Sequence, residues 1–156
     1  MDKLIKKLER EGKIKKQKVG IVQIEALLKQ AVLDLEEAKK ILDIAERATY
    51  ILAYMAMLKA GRALLLLKGY ITSDGSQHKT VVEMTSVILG NEYRDLTGQF
   101  ETMRRKRNEL TYEAGVLLSV SDVKEAFSDA IALVQKVLEQ VKSQNPQMEF
   151  NFKLTL

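Results

Sequence analysis

The sequence has no cysteine, no tryptophan, one proline and one histidine in 156 residues. Without cysteine, neither disulfides nor thiolate-held metals are available, which fits a reducing compartment. One imidazole and no thiol leave a conventional zinc site short of ligands. No Glu-x-x-His pair occurs, so the carboxylate metal pattern of helical bundles is missing as well. A Ser-His-Asp triad would have to rest on His78, which sits in a polar loop pattern without a supporting signature. No glycine-rich loop follows a strand pattern, which removes the common nucleotide-binding fingerprints. Neither a metal nor a cofactor is therefore expected. The start, "MDKLIKKLEREGK", lacks an uninterrupted apolar region and does not read as a secretory signal. The longest apolar run, "YILAYMAMLKAGRALLLL", is broken by Lys59 and Arg62. It reads as the core helix of a soluble, cytoplasmic protein rather than a membrane span.

What is present is a helical composition. Hydrophobic residues make up 46% and charged residues 29%, enough for a packed core beneath a solvated surface. The eight glycines fall mostly between long Leu/Ala/Glu/Lys runs. The net charge of +4 is unevenly placed. Residues 1–18 carry eight basic side chains against three acidic ones, a net of +5, and the remainder carries 17 against 18, a net of −1. This basic arm could contact phosphates, but no aromatic is interleaved to stack on bases, so a solvated helix is the simpler reading.

The periodicity predicts five to six helices. Residues 2–11 place Leu4, Ile5 and Leu8 on one side, and residues 21–46 repeat apolar positions at helical spacing from Ile24 to Ala45. A third helix, 49–68, is apolar on most sides, as the central element of a bundle must be. Its small residues Ala53, Ala56, Ala60, Gly61 and Ala63 permit close approach of neighbours. After a polar loop, "YITSDGSQHK", helices follow at 79–89, 91–113 and from Ser119 or Ser121 to 143. The tail "MEFNFKLTL" alternates apolar and polar residues with strand period, and no other strand is evident to pair with it. The expected architecture is all-α: an antiparallel up-and-down bundle over 19–145, preceded by the basic arm 1–18 and followed by an extended tail, 146–156.

The most charged stretch is "RRKRNELTYEAG", Arg104 to Gly115. On a helix, Asn108 and Tyr112 share a face, as do Arg104 and Asn108, while Arg107 lies on a neighbouring ridge. Two readings stay open. The run is a solvated face whose arginines pair with Glu101 and Glu109 while Tyr112 packs at the helix end, or it borders a polar cleft. Lys59 and Arg62, in the apolar helix, are placed to pair with Glu83 or Asp95 or to reach such a cleft.

Two segments together resemble the HEPN family. "AYMAMLKAGRALLLLKGYITSDGSQHKTVVEM" is similar to its central helix pair, in which His-Lys opens the second helix, and "MRRKRNELTYEAG" is similar to its signature. The likeness covers roughly residues 21–143. It implies a bundle that dimerises about a two-fold axis with two Arg-bearing helices facing one cleft. Many members are metal-independent ribonucleases and toxins paired with a small nucleotidyltransferase antitoxin. By position, Arg107 matches the signature arginine and Asn108 the polar residue after it, while Tyr112 stands where the family has histidine. A phenol, with an ordinary pKa near ~10, is a poor base unless cations such as Arg104, Arg105 and Lys106 stabilise the phenolate. The family pattern also includes a tyrosine two positions further on, where this chain has Ala114.

The likeness implies a homodimer of toxin–antitoxin or defence type. Its candidate site is Arg107, Asn108 and Tyr112, with Arg104, Arg105, Lys106 and His78 as phosphate or RNA contacts. The alternative is a non-catalytic module that binds a nucleotide or a nucleotidyltransferase through the same cleft. A third reading gives nucleic-acid binding to the basic arm.

Overall fold

The computed structural model describes residues 1–73 and 77–146. Within them lie α1 (Asp2–Arg10), α2 (Ile21–Ile41), α3 (Glu46–Leu67), α4 (Gln77–Leu89), α5 (Arg94–Tyr112) and α6 (Val120–Gln144). The architecture is the expected all-α bundle. α2 and α3 form a helical hairpin, α6 packs along α3, and α4 and α5 cover its remaining flank.

Composition explains the central place of α3. Its apolar side chains point in nearly every direction, so it avoids water only by being surrounded. Tyr54, Ala56, Met57, Leu58, Ala60 and Leu64 are fully buried. Although α3 is long and apolar enough to cross a membrane, the surrounding helices account for its hydropathy. The small residues serve the approach of α4 and α5. A Cβ built on Gly61 would lie 2.7 Å from Val81 Cγ1 and 2.8 Å from Thr85 Oγ1, with Phe100 3.5 Å away. Val81 and Thr85 are short and β-branched and cannot swing aside.

Helix boundaries differ from the periodic reading where polar groups intervene. α2 ends at Ile41 rather than near 46, and α3 starts at Glu46 rather than 49. Thr49 is buried, and its hydroxyl donates to the carbonyls of Ile41 (3.1 Å) and Ala45 (2.8 Å). The Ile41 carbonyl also accepts from the N–H groups of Ile44 and Ala45, so the turn between α2 and α3 is closed by backbone and side chain together. Of the two candidate caps for α6, Ser119 is used. Its Oγ accepts from the Asp122 N–H (3.0 Å), and its own N–H donates to Asp122 Oδ2 (3.3 Å), a capping box. Gly69, with φ of +87°, terminates α3 in the left-handed region.

The expectation that no strand other than the tail exists is corrected. β1 (Ile14–Lys16) and β2 (Tyr70–Thr72) form an antiparallel ribbon with Ile14 opposite Thr72 and Lys16 opposite Tyr70. Three-residue strands are too short to display alternation in a sequence. The Gln17 N–H donates to the Gly69 carbonyl and Ser73 Oγ donates to the Gly12 carbonyl, so the ribbon ties the N-terminal segment to the α3–α4 connection. Residues 1–18 also bring Leu8 and Ile14 into the core, while their lysines remain at the surface. The alternating tail 148–156 lies outside the described residues.

Gly61→Ala tests the close approach of α3 and α4. Overpacking costs about 1–3 kcal/mol, and the helix propensity of alanine returns at most about 1 kcal/mol. The expected outcome is a lower urea midpoint with an unchanged m-value; an unchanged or raised midpoint would show that the contact has room to spare.

Candidate functional site

Helix geometry divides the charged run of α5 among different neighbours. Arg104 and Arg107, three residues apart, lie on the side that faces α3 and α4, and both act electrostatically on Tyr54 of α3 and His78 of α4. Arg104 is also ion-paired with Glu101 one turn earlier. Arg105 points to solvent with 73% of its side chain exposed, 4.0 Å from Glu101. Lys106 turns the other way and donates to the Leu117 carbonyl (3.0 Å), fastening the α5–α6 connection. Arg105 solvates a face, whereas Arg104 and Arg107 are half-buried on the side toward α3 and α4.

The cluster is built on one hydrogen bond. The Tyr54 hydroxyl and His78 Nδ1 are 3.0 Å apart, and the rings are tilted with centroids 5.7 Å apart. Tyr54 is completely buried and also packs against Phe100 of α5. His78 lies in the first turn of α4, not in the preceding loop, and is half-buried. Burial pushes its pKa below the ordinary 6.5, and the charges of Arg107, Arg62 and Arg104 push it the same way. Burial also raises the Tyr54 pKa, against the opposing pull of Arg104, Arg107 and Arg62. Both groups are thus held neutral at pH 7, within electrostatic reach of Arg62 of α3 and of Arg104 and Arg107 of α5.

Arg107 is half-buried, and its Nε is fully enclosed without a hydrogen-bond partner among the described residues. Its terminal NH1 approaches Asn108 Oδ1 at 3.4 Å. Tyr112, by contrast, is 79% exposed in the last turn of α5, so it neither packs at the helix end nor joins the buried cluster. The sequence reading also missed Arg47. Its Nε and NH2 donate to the Leu110 carbonyl at 3.2 and 3.1 Å, neutralising open acceptors at the C-terminus of α5. Lys59 pairs with Asp34 of α2 at 2.7 Å, not with Glu83 or Asp95.

No family model matches the chain, and no curated protein matches it. The HEPN likeness therefore rests on the two segments themselves.

A separate cavity of about 380 Å³ lies among α3, α5 and α6, lined in part by Tyr50, Lys106, Asp122, Glu125 and Asp129. Burial and the neighbouring Glu125 raise the Asp129 pKa, and Asp129 Oδ2 is enclosed without a hydrogen-bond partner among the described residues. Three carboxylates against one lysine make this cavity unfavourable for phosphate, whereas a surface depression lined by Lys16, Lys18 and Lys68 is basic. Among the described residues no group of three or more His, Asp or Glu side chains is arranged to hold a metal.

The depressed His78 pKa has a sign that can be checked. Between that value and 6.5 the unfolded chain binds more protons at this position than the folded one. The stability contribution is therefore complete above pH 6.5 and is lost as pH falls through the folded-state pKa. Chemical denaturation from pH 7.5 to 5 should show a loss of stability that His78→Gln reduces; equal pH profiles for the two proteins would contradict a buried neutral imidazole.

Proposed function

We propose that this is a HEPN-type protein of toxin–antitoxin or defence kind, acting on RNA in the cytoplasm as a homodimer. A nucleotidyltransferase is its candidate partner. The carrying observation is that Arg104 and Arg107 of the signature-like segment, with Arg62, lie near enough to act electrostatically on the only histidine in the chain. Arginine donors in a half-buried setting suit the oxygens of a phosphodiester. In a cleaving enzyme, Arg107 stabilises the charge that develops on phosphorus oxygens, Asn108 orients the phosphate and Tyr112 handles the proton. Exposed Tyr112, Leu117 and Val120, near the end of α5 and the start of α6, supply apolar surface for a second copy.

The exposure of Tyr112 favours a second reading, a non-catalytic module that holds RNA or a nucleotide through the same arginines.

RNA cleavage in EDTA by wild type, Arg107→Ala and Tyr112→His separates these readings, with sedimentation reporting the dimer. The enzyme reading expects wild-type cleavage that falls by about a hundredfold or more with Arg107→Ala. The module reading expects none from wild type, RNA binding that weakens with Arg107→Ala, and activity gained with Tyr112→His. Absence of both binding and cleavage in all three proteins would remove RNA as the target.

A further inference from the structure

The basic N-terminal segment has no aromatic residue of its own, and the fold brings one to it. In the antiparallel ribbon Lys16 of β1 stands directly opposite Tyr70 of β2. Residues so opposed project from the same face, with their Cβ atoms roughly 4.5–5.5 Å apart. A depression of about 300 Å³ lies at this point, lined by Lys16, Gln17, Lys18, Lys68, Gly69 and Tyr70. None of these six residues is acidic. Lys16, Lys18 and Lys68 are exposed and form no ion pair among the described residues. Tyr70 is half-buried and packs against the core while still lining the depression. A ring already held by packing loses little freedom when a base stacks on it. The backbone at Gly69 is satisfied, since its N–H donates to the Leu66 carbonyl and its carbonyl accepts from the Gln17 N–H. A ligand therefore meets three ammonium point charges and an aromatic ring, a combination that holds a phosphate chain with bases attached and tolerates any sequence. A bilayer suits this region less well. α1 contacts β1 and adds surface lysines, but its apolar residues Leu4, Ile5 and Leu8 are committed to the core.

We infer that this depression binds single-stranded RNA, with backbone phosphates on Lys16, Lys18 and Lys68 and a base stacked on Tyr70. The inference rests on RNA as the target proposed above and adds a second place, apart from the arginines of α5, where the strand is held. Its signature is counterion release. Each single-strand phosphate neutralised contributes about −0.7 to the slope of log affinity against log salt concentration, so three lysines account for about 2 units of slope.

The test follows binding of a short fluorescent oligouridylate by anisotropy across a salt series. Wild type is compared with the triple variant Lys16→Gln/Lys18→Gln/Lys68→Gln and with Arg107→Ala. All three lysines are exposed, so the triple variant should keep the wild-type urea midpoint. At low salt it should bind roughly tenfold more weakly or worse, with a slope shallower by about 2, whereas Arg107→Ala removes at most one contact, about 0.7 of slope. Because the chain has no tryptophan, Tyr70→Trp places a probe at the stacking position. Its emission should be quenched by the oligouridylate and left unchanged by inorganic polyphosphate, which carries charge without bases. Wild-type affinity and slope in the triple variant overturn the inference while leaving RNA as the target through other residues. Absence of quenching, or an equal response to polyphosphate, overturns the stacked base and leaves a general polyanion surface. Capture by anionic phosphatidylserine vesicles without oligouridylate binding assigns the lysines to a membrane and overturns it too. No RNA binding or cleavage by wild type overturns this inference and the reading beneath it together.

Discussion

A helix that is apolar on almost every side must be covered on almost every side, and every polar group it carries must find a partner within the cover. α3 imposes that constraint on the whole bundle. Its buried residues draw α2, α4, α5 and α6 around it, and its few polar side chains select what those helices present. Lys59 enters with a side chain that is 22% exposed, and Asp34 of α2 meets its ammonium at 2.7 Å. An ion pair so placed adds little net stability, but loss of either partner would strand a charge. Thr49 returns its hydroxyl to the carbonyls of the preceding turn. Tyr54 has the least choice, since its ring is enclosed and its hydroxyl reaches only as far as α4.

That last requirement links packing to chemistry. The close approach of α4 at Gly61 and the docking of Phe100 beside Tyr54 bring α4 and α5 against the same stretch of α3. His78 meets the Tyr54 hydroxyl because the first turn of α4 starts there, after a connection held by the β1–β2 ribbon. The ribbon is small, yet it restrains the backbone just before the only imidazole in the chain. The same packing gathers Arg62, Arg104 and Arg107 around a phenol and an imidazole that are both held neutral.

The sequence was most informative where a single physical rule acts without competition. The all-round apolar character of α3 and the periodic apolar positions of α6 foretell burial, and each of these helices occurs where hydrophobic period alone puts it. Boundaries were less legible because side-chain hydrogen bonds set them. Thr49 bonds back to the turn that ends α2, and only the structure shows its hydroxyl turned that way. The ribbon was illegible for a different reason: six residues in two distant segments carry no period to read, and their pairing is a property of the tertiary fold. The charged run lay between these cases. Spacing of three or four residues correctly separates faces, but it gives no direction to them, so Arg105 and Lys106 could not be told from Arg104 and Arg107.

The single histidine illustrates how residue type and residue role come apart. A histidine beside arginines invites the role of general base, and the missing signature histidine at Tyr112 makes that role seem vacant. Yet a base needs a lone pair directed at the substrate, and Nδ1 of His78 is occupied by a phenol on which Arg104, Arg107 and Arg62 act more strongly than Glu101. Moving the proton from Nε2 to Nδ1 would leave the Tyr54 hydroxyl proton without an acceptor in a buried site, a cost comparable to a lost hydrogen bond. The packing of Tyr54 on α3 therefore decides how one ring nitrogen of His78 on α4 is used: Nδ1 is taken up by the phenol and is not free to act on a substrate.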